Sequence, residues 1–202
     1  MFRLLPILVL AVPTLAMAQP APAVDPGRVE KVVAATFAAA SPEWQARVIQ
    51  DETQRLCSLR RNQPTAAEAV AIMKREQASV TLPADGHVLG DWRRGEEVAL
   101  SGRGGQFSDD PKMASGGNCY ACHQMAAAEI TYGTLAPSLL QYGKLKNYDA
   151  DAARAAYVKV YDAQAVFPCS MMPRFGHNKV LTEQQMKDVV AYLFDPASPV
   201  NK

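Results

Sequence analysis

The sequence predicts an all-α protein, and three features carry that prediction. Apolar side chains recur at helical spacing along the chain, beginning with Val29, Val32, Val33 and Phe37. Capping-box signatures open two of the runs, Thr65 with Glu68 and Thr182 with Gln185. Between a helical segment at Asp91–Leu100 and the apolar-faced last helix lies Cys119-Tyr120-Ala121-Cys122-His123, a C-x-x-C-H run.

The chain opens with Met1-Phe2-Arg3, an apolar run from Leu4 to Leu15, and Ala16-Met17-Ala18 before Gln19. A basic start, a short apolar core and an A-x-A ending predict a secretory signal peptide at 1–18, cleaved after Ala18. The run is too short for a membrane span of about 20 apolar residues and contains Pro6 and Pro13. The destination expected is an oxidising compartment, most simply a bacterial periplasm. No later stretch reads as a membrane span. A formal net charge of +1 over 202 residues excludes a strongly basic nucleic-acid binder by bulk electrostatics.

A linker and helical extension are expected at 19–90. Its first helix runs from Pro26 to about Ala40. Ser41-Pro42-Glu43 reads as N-cap, first-turn proline and first-turn acid of a second, with Trp44, Val48 and Leu56 as its apolar or amphipathic positions. Thr65 and Glu68 open a third, carrying Ala69, Ile72 and Met73. The extension either packs on the main domain or offers a docking face, and packing is the expectation. Ser79 to Gly90 reads as an extended connector, with His87 at the surface.

The remaining segment, 91–202, holds the chemistry. Two thiols three positions apart can each add to one vinyl group of a porphyrin, and the adjacent His123 can then ligate the iron. A thioredoxin-like redox motif would want a βαβ context, and a zinc site would want a second Cys/His pair. Cys57 and Cys169 stand alone, as do His87 and His177. One covalently attached haem c is expected. Gly95 weakens the helix around it by about 1 kcal/mol relative to alanine, which makes sense where another helix crosses closely. The crossing partner expected is the last helix, with Met186, Val189, Val190 and Leu193 on one face. Ala152 to Ala163 supplies a middle helix. This arrangement is the plan of a class I cytochrome c, with the fold expected to be such a haem domain behind the helical extension.

The second iron ligand must come from downstream. Met125 lies too close to His123 to reach across, and Met186 reads as core. That leaves Pro168-Cys169-Ser170-Met171-Met172-Pro173-Arg174-Phe175-Gly176, where Met172 is preferred, Met171 is the near alternative and His177 a weaker one. His/Met ligation raises a haem potential, whereas bis-His ligation would lower it. Cys57 and Cys169 are an even pair in an exported protein, so a disulfide is expected, against two free thiols or a reactive Cys169.

Gly117-Asn118-Cys119-Tyr120-Ala121-Cys122-His123, Pro137-Ser138-Leu139 with Tyr142-Gly143, Met172-Pro173-Arg174-Phe175-Gly176 and the ending Asp195-Pro196-Ala197-Ser198-Pro199-Val200-Asn201 together resemble SoxX. SoxX is the family of monohaem subunits of the SoxAX cytochromes of bacterial sulfur oxidation. Ala136 stands where many of its members carry glycine. By resemblance to class I cytochromes, the Pro137 carbonyl fixes the other ring nitrogen of His123. The family implies a role in an L-cysteine S-thiosulfotransferase, which joins thiosulfate oxidatively to a cysteine of the SoxYZ carrier. Bond formation falls to a haem on a SoxA-type partner. SoxX takes the electrons and passes them to a small soluble cytochrome c, so no residue of this chain is expected to be catalytic. The alternative is a free-standing class I cytochrome c shuttle.

Overall fold

The computed structural model describes residues 25–104, 108–110 and 112–202. The leader expected at 1–18 and the linker before Asp25 lie outside the described residues, as does the side chain of Trp44. Eight α-helices and no strand occur among the described residues: α1 (Pro26–Thr36), α2 (Pro42–Val48), α3 (Glu52–Leu59), α4 (Ala66–Ser79), α5 (Trp92–Leu100), α6 (Tyr142–Leu145), α7 (Ala150–Tyr161) and α8 (Glu183–Phe194). The fold is all-α.

The extension holds four helices where the sequence reading gives three. Leu56 belongs to α3, not to the helix opened by Ser41-Pro42. Asp51 is the reason: it accepts from the Gln54 N–H at 2.8 Å while the Gln54 side chain accepts from its own N–H at 3.0 Å. That capping box ends one helix and starts the next. The capping boxes at Thr65 and Thr182 open α4 and α8. The apolar positions of α1 are poorly covered: Val29 and Val32 are 41 % and 58 % exposed, and Val33 is half-buried.

α5 crosses α8, the most extensive helix–helix contact among the described residues. A Cβ on Gly95 would stand 2.0 Å from the Asp188 carbonyl oxygen and 2.9 Å from Tyr192 Cβ. The glycine is what lets the two backbones meet. Around the crossing lies one core, with Ala99, Val189, Val190 and Leu193 from the crossing helices and Tyr157 and Val160 from α7. Asp188, buried in α8, receives the Asp91 N–H at 2.8 Å and the Arg94 guanidinium at 2.9 and 3.1 Å, pinning the start of α5 to α8.

The chain's ending closes the other end of α8. Asn201 donates to the Leu193 and Asp195 carbonyls at 3.1 and 2.9 Å and accepts from Lys144 N–H at 3.1 Å. Val200 is fully buried. These bonds satisfy carbonyls that a helix C-terminus leaves without partners. A second, smaller cluster joins Cys57 in α3, Ile72 in α4 and Cys169, with Leu56 against it. Cys57 and Cys169 are joined by a disulfide across 112 positions.

Candidate haem site

Cys119 to Ala121 form a single 3₁₀ turn, introduced by Asn118 in the left-handed region at φ 46°. The turn is held from both sides by backbone. Gly117 N–H donates to Val98 O at 2.8 Å and Asn118 N–H to Ser101 O at 2.9 Å, which fastens the motif to the end of α5. On the other side the segment 133–139 runs along it. Gly133 N–H donates to Tyr120 O at 2.8 Å, Ala136 N–H to Cys122 O at 3.1 Å and Leu139 N–H to Gln124 O at 2.7 Å. A Cβ on Gly133 would meet the Ala121 carbonyl oxygen at 1.9 Å, so only glycine permits this approach.

That pairing places the Pro137 carbonyl oxygen 2.7 Å from His123 Nδ1. With Nδ1–H donating to a carbonyl, the tautomer is fixed and the Nε2 lone pair is the one available to a metal. Cys119 and Cys122 are both free thiols. Cys119 is half-buried, and burial pushes its thiol pKa up to about 12. Two thiols, and an imidazole with one nitrogen occupied and the other open, are the donor set that haem c requires. The residues present fit the group.

A hydroxyl relay that no local pattern announces lies beneath the motif. The Tyr120 hydroxyl accepts from Ala126 N–H at 3.1 Å and lies 2.8 Å from the Tyr192 hydroxyl, which donates to Glu96 Oε1 at 3.4 Å. Burial, then the bond with Tyr120, push the Tyr192 pKa upward. The relay joins the haem turn, α5 and α8. A tyrosine inside the C-x-x-C-H run and another on the apolar face of α8 were its only traces in the sequence.

The candidate distal ligands separate by environment. Met171 is 88 % exposed. Met172 is half-buried and packs against the main core, as Cys119 does. His177 lies elsewhere, with its ring nitrogens 3.0 and 2.8 Å from Arg174 Nη2 and Nδ1 3.4 Å from Asp162. Arg174 is the hub of that cluster. Its Nε donates to Asp162 at 3.0 Å, its Nη2 to Glu76 at 2.5 Å and its Nη1 to Asp51. Glu76 also receives the Thr53 hydroxyl and Arg75 Nε, the latter at 3.3 Å. Glu76, Asp162 and His177 stand close enough to suggest a metal site, but the Arg174 guanidinium already serves as their shared cation.

Opposing effects set the acidities there. Burial raises the Glu76 carboxyl, but the Thr53 hydrogen bond and the Arg174 charge outweigh it and hold it below the ordinary range. Burial raises Asp51 as well, and the Gln54 N–H and Arg174 reverse that. At Asp162 burial prevails over Arg174 and the pKa is raised. The sequence signal for this cluster was Asp51 with Gln54 three residues on, a cap whose second carboxylate oxygen is free to reach across the fold.

The family model for cytochrome c matches residues 106–195. A protein of Aquifex aeolicus (strain VF5), named only as an uncharacterized lipoprotein, is 38 % identical to this chain over 160 residues. The match spans 78 % of this chain and 76 % of that protein, so the likeness takes in much more than the haem motif.

Proposed function

We propose that this chain, which carries a cytochrome c domain over residues 106–195, is an exported monohaem electron carrier, and that it serves as the electron-accepting subunit of a SoxAX-type L-cysteine S-thiosulfotransferase. Cys119 and Cys122 would hold haem c by two thioethers, and His123 and Met172 would ligate its iron. When bound, the group supplies a one-electron iron couple. The chain's own residues set the conditions of that couple. His123 is oriented by Pro137, and a thioether from Met172 is a weak donor that favours the reduced iron and raises the potential. With His123 and Met172 both serving as ligands, this chain would supply no open site for substrate, and its role would be to pass electrons while a partner makes the bond.

The observation that carries the haem reading is the 2.7 Å contact between His123 and the Pro137 carbonyl beside two free thiols. Residence in the cell envelope is supported by the leader-like N-terminus and by the word lipoprotein in the relative's name. The SoxAX assignment rests on the sequence resemblance, from the M-P-R-F-G loop to the D-P-A-S-P-V-N ending. Co-expression with a SoxA-type subunit, size-exclusion chromatography and haem reduction by thiosulfate plus carrier protein test it. Co-elution with thiosulfate-dependent reduction is expected. A monomer that ignores the partner, yet exchanges electrons freely with oxidase, would establish the free-standing shuttle instead.

A further inference from the structure

Met172 stands between two points at which its loop is fastened, and both fasteners lead to the N-terminal helices. Three positions before it, Cys169 is bonded to Cys57 of α3. Cys169 is buried with φ at 59°, and its N–H donates to Gln164 Oε1 at 2.9 Å. Two positions after it, Arg174 is 3 % exposed and divides its guanidinium among Asp51, the N-cap of α3, Glu76 in α4, and Asp162, the C-cap of α7. The stretch between is lightly held by comparison. Met171 is 88 % exposed, and the Met172 N–H reaches only Ser170 Oγ, at 3.2 Å.

A short loop whose ends are fixed has few conformations left to its middle. The fasteners differ in kind, one covalent and one a buried ion cluster, yet α3 contributes to both. Packing the extension on the domain would require neither. The core has its own helices, and the smaller cluster of Cys57, Ile72 and Cys169 could be filled by apolar side chains. We infer that α3 and α4 form a clamp whose task is to hold the Met172 thioether in position, with Asp51, Glu76, Arg174 and the disulfide as positioning residues. The inference rests on the reading of Met172 as distal ligand. Opening the clamp lets the loop swing away and hands the position to other ligands.

Imidazole added to the oxidised, haem-loaded protein reads this directly, because its apparent affinity scales with the fraction of molecules whose loop is open. Asp51→Asn and the double variant Cys57→Ser/Cys169→Ser should each bind imidazole at least about tenfold tighter than the parent, or about 1.4 kcal/mol. Asn201→Ala weakens the fold at the far end of α8 and should leave imidazole affinity unchanged, which separates positioning from general loosening. Met172→Ala should abolish the methionine-to-iron charge-transfer band and bind imidazole tightest. Clamp variants that bind imidazole as the parent does, while Met172→Ala loses the band, overturn the clamp and leave the ligand reading standing. So does an Asn201→Ala affinity that rises as much as theirs. A band intact in Met172→Ala sinks the ligand reading and the clamp with it. Far-UV circular dichroism and haem content confirm that each variant is folded, and Glu76→Gln substitutes for Asp51→Asn if the latter is not.

Discussion

Replacing Arg174 with alanine removes the one cation shared by three carboxylates. Asp162 and Glu76 are 0 % and 2 % exposed, so water cannot replace the guanidinium, and only Glu76 keeps a second cation, Arg75 Nε at 3.3 Å. Breaking a buried ion pair from one side costs about 3–5 kcal/mol, because the charge left behind stays desolvated. For a chain of this size each kcal/mol moves the melting temperature by roughly 2–4 °C. The variant should therefore melt about 6–20 °C lower at neutral pH. Its pH dependence gives the sharper test. Without Arg174 burial is less opposed, so the Asp162 carboxyl, already raised, is pushed further up, and Glu76 moves up from its lowered position. A raised carboxyl favours folding below its unfolded pKa and loses that advantage as pH rises through the folded value. The deficit should thus shrink as pH falls from neutral toward the ordinary carboxyl values of 3.8 and 4.5. Thermal melts of parent and variant, followed by circular dichroism in parallel buffers, measure it. A loss below about 1 kcal/mol, or a deficit that widens on acidification, would refute the view of Arg174 as a buried counter-charge.

Gly95→Ala should destabilise by about 1–3 kcal/mol or more, since its methyl would enter the Asp188 backbone; guanidinium unfolding reads it, and a neutral result would mean the α5–α8 crossing is looser than described. Tyr192→Phe should cost about 1 kcal/mol by cutting the hydroxyl relay. Tyr120→Phe should cost at least as much, since its hydroxyl also serves Ala126 N–H. Asp188 has the opposite sign from the Arg174 variant's carboxyls. Burial raises it, but the Arg94 and Asp91 hydrogen bonds overcome this and lower its pKa below 3.8. Its contribution is complete above that unfolded value and is lost as pH falls through the folded one. Asp188→Asn should flatten that acid limb of the stability curve below about pH 4. Removing the disulfide frees a loop of 112 positions and should cost about 4–5 kcal/mol in the chain-entropy view, measured by denaturant unfolding of Cys57→Ser/Cys169→Ser.

What could be read from the sequence was what local chemistry decides. Thr65–Glu68 and Thr182–Gln185 announce α4 and α8 because a capping box is complete within four residues. Gly95 announced a crossing because a glycine inside a helix needs a reason, and Asp188 with Tyr192 supplies it. The break between α2 and α3 was equally local, and Asp51 with Gln54 carried it. The Arg174 hub was different in kind. Its partners stand 123, 98 and 12 positions away, on three separate elements. No periodicity encodes such a meeting. The relay through Tyr120 and Tyr192 spans 72 positions and was hidden for the same reason.

The residues most distinctive in the sequence turn out to have architectural work. Asn201 and Val200 plug the end of α8, Arg174 gathers carboxylates, and a Cβ on Gly176 would stand 2.4 Å from the Tyr161 ring. Such positions hold the fold together, and none of them offers a group to a substrate. The two sides of the candidate haem site are built by opposite means. On the proximal side, backbone bonds between the haem turn and 133–139 bring Pro137 to His123 without help from outside the domain. The Met172 loop, distal in the ligation we propose, is fastened to α3 and α4 through one disulfide and one ion cluster. An extension that conditions only the distal ligand can alter ligand exchange and potential while leaving haem attachment intact. In the clamp we infer, α3 and α4 are the helices of the extension with a physical stake in electron transfer.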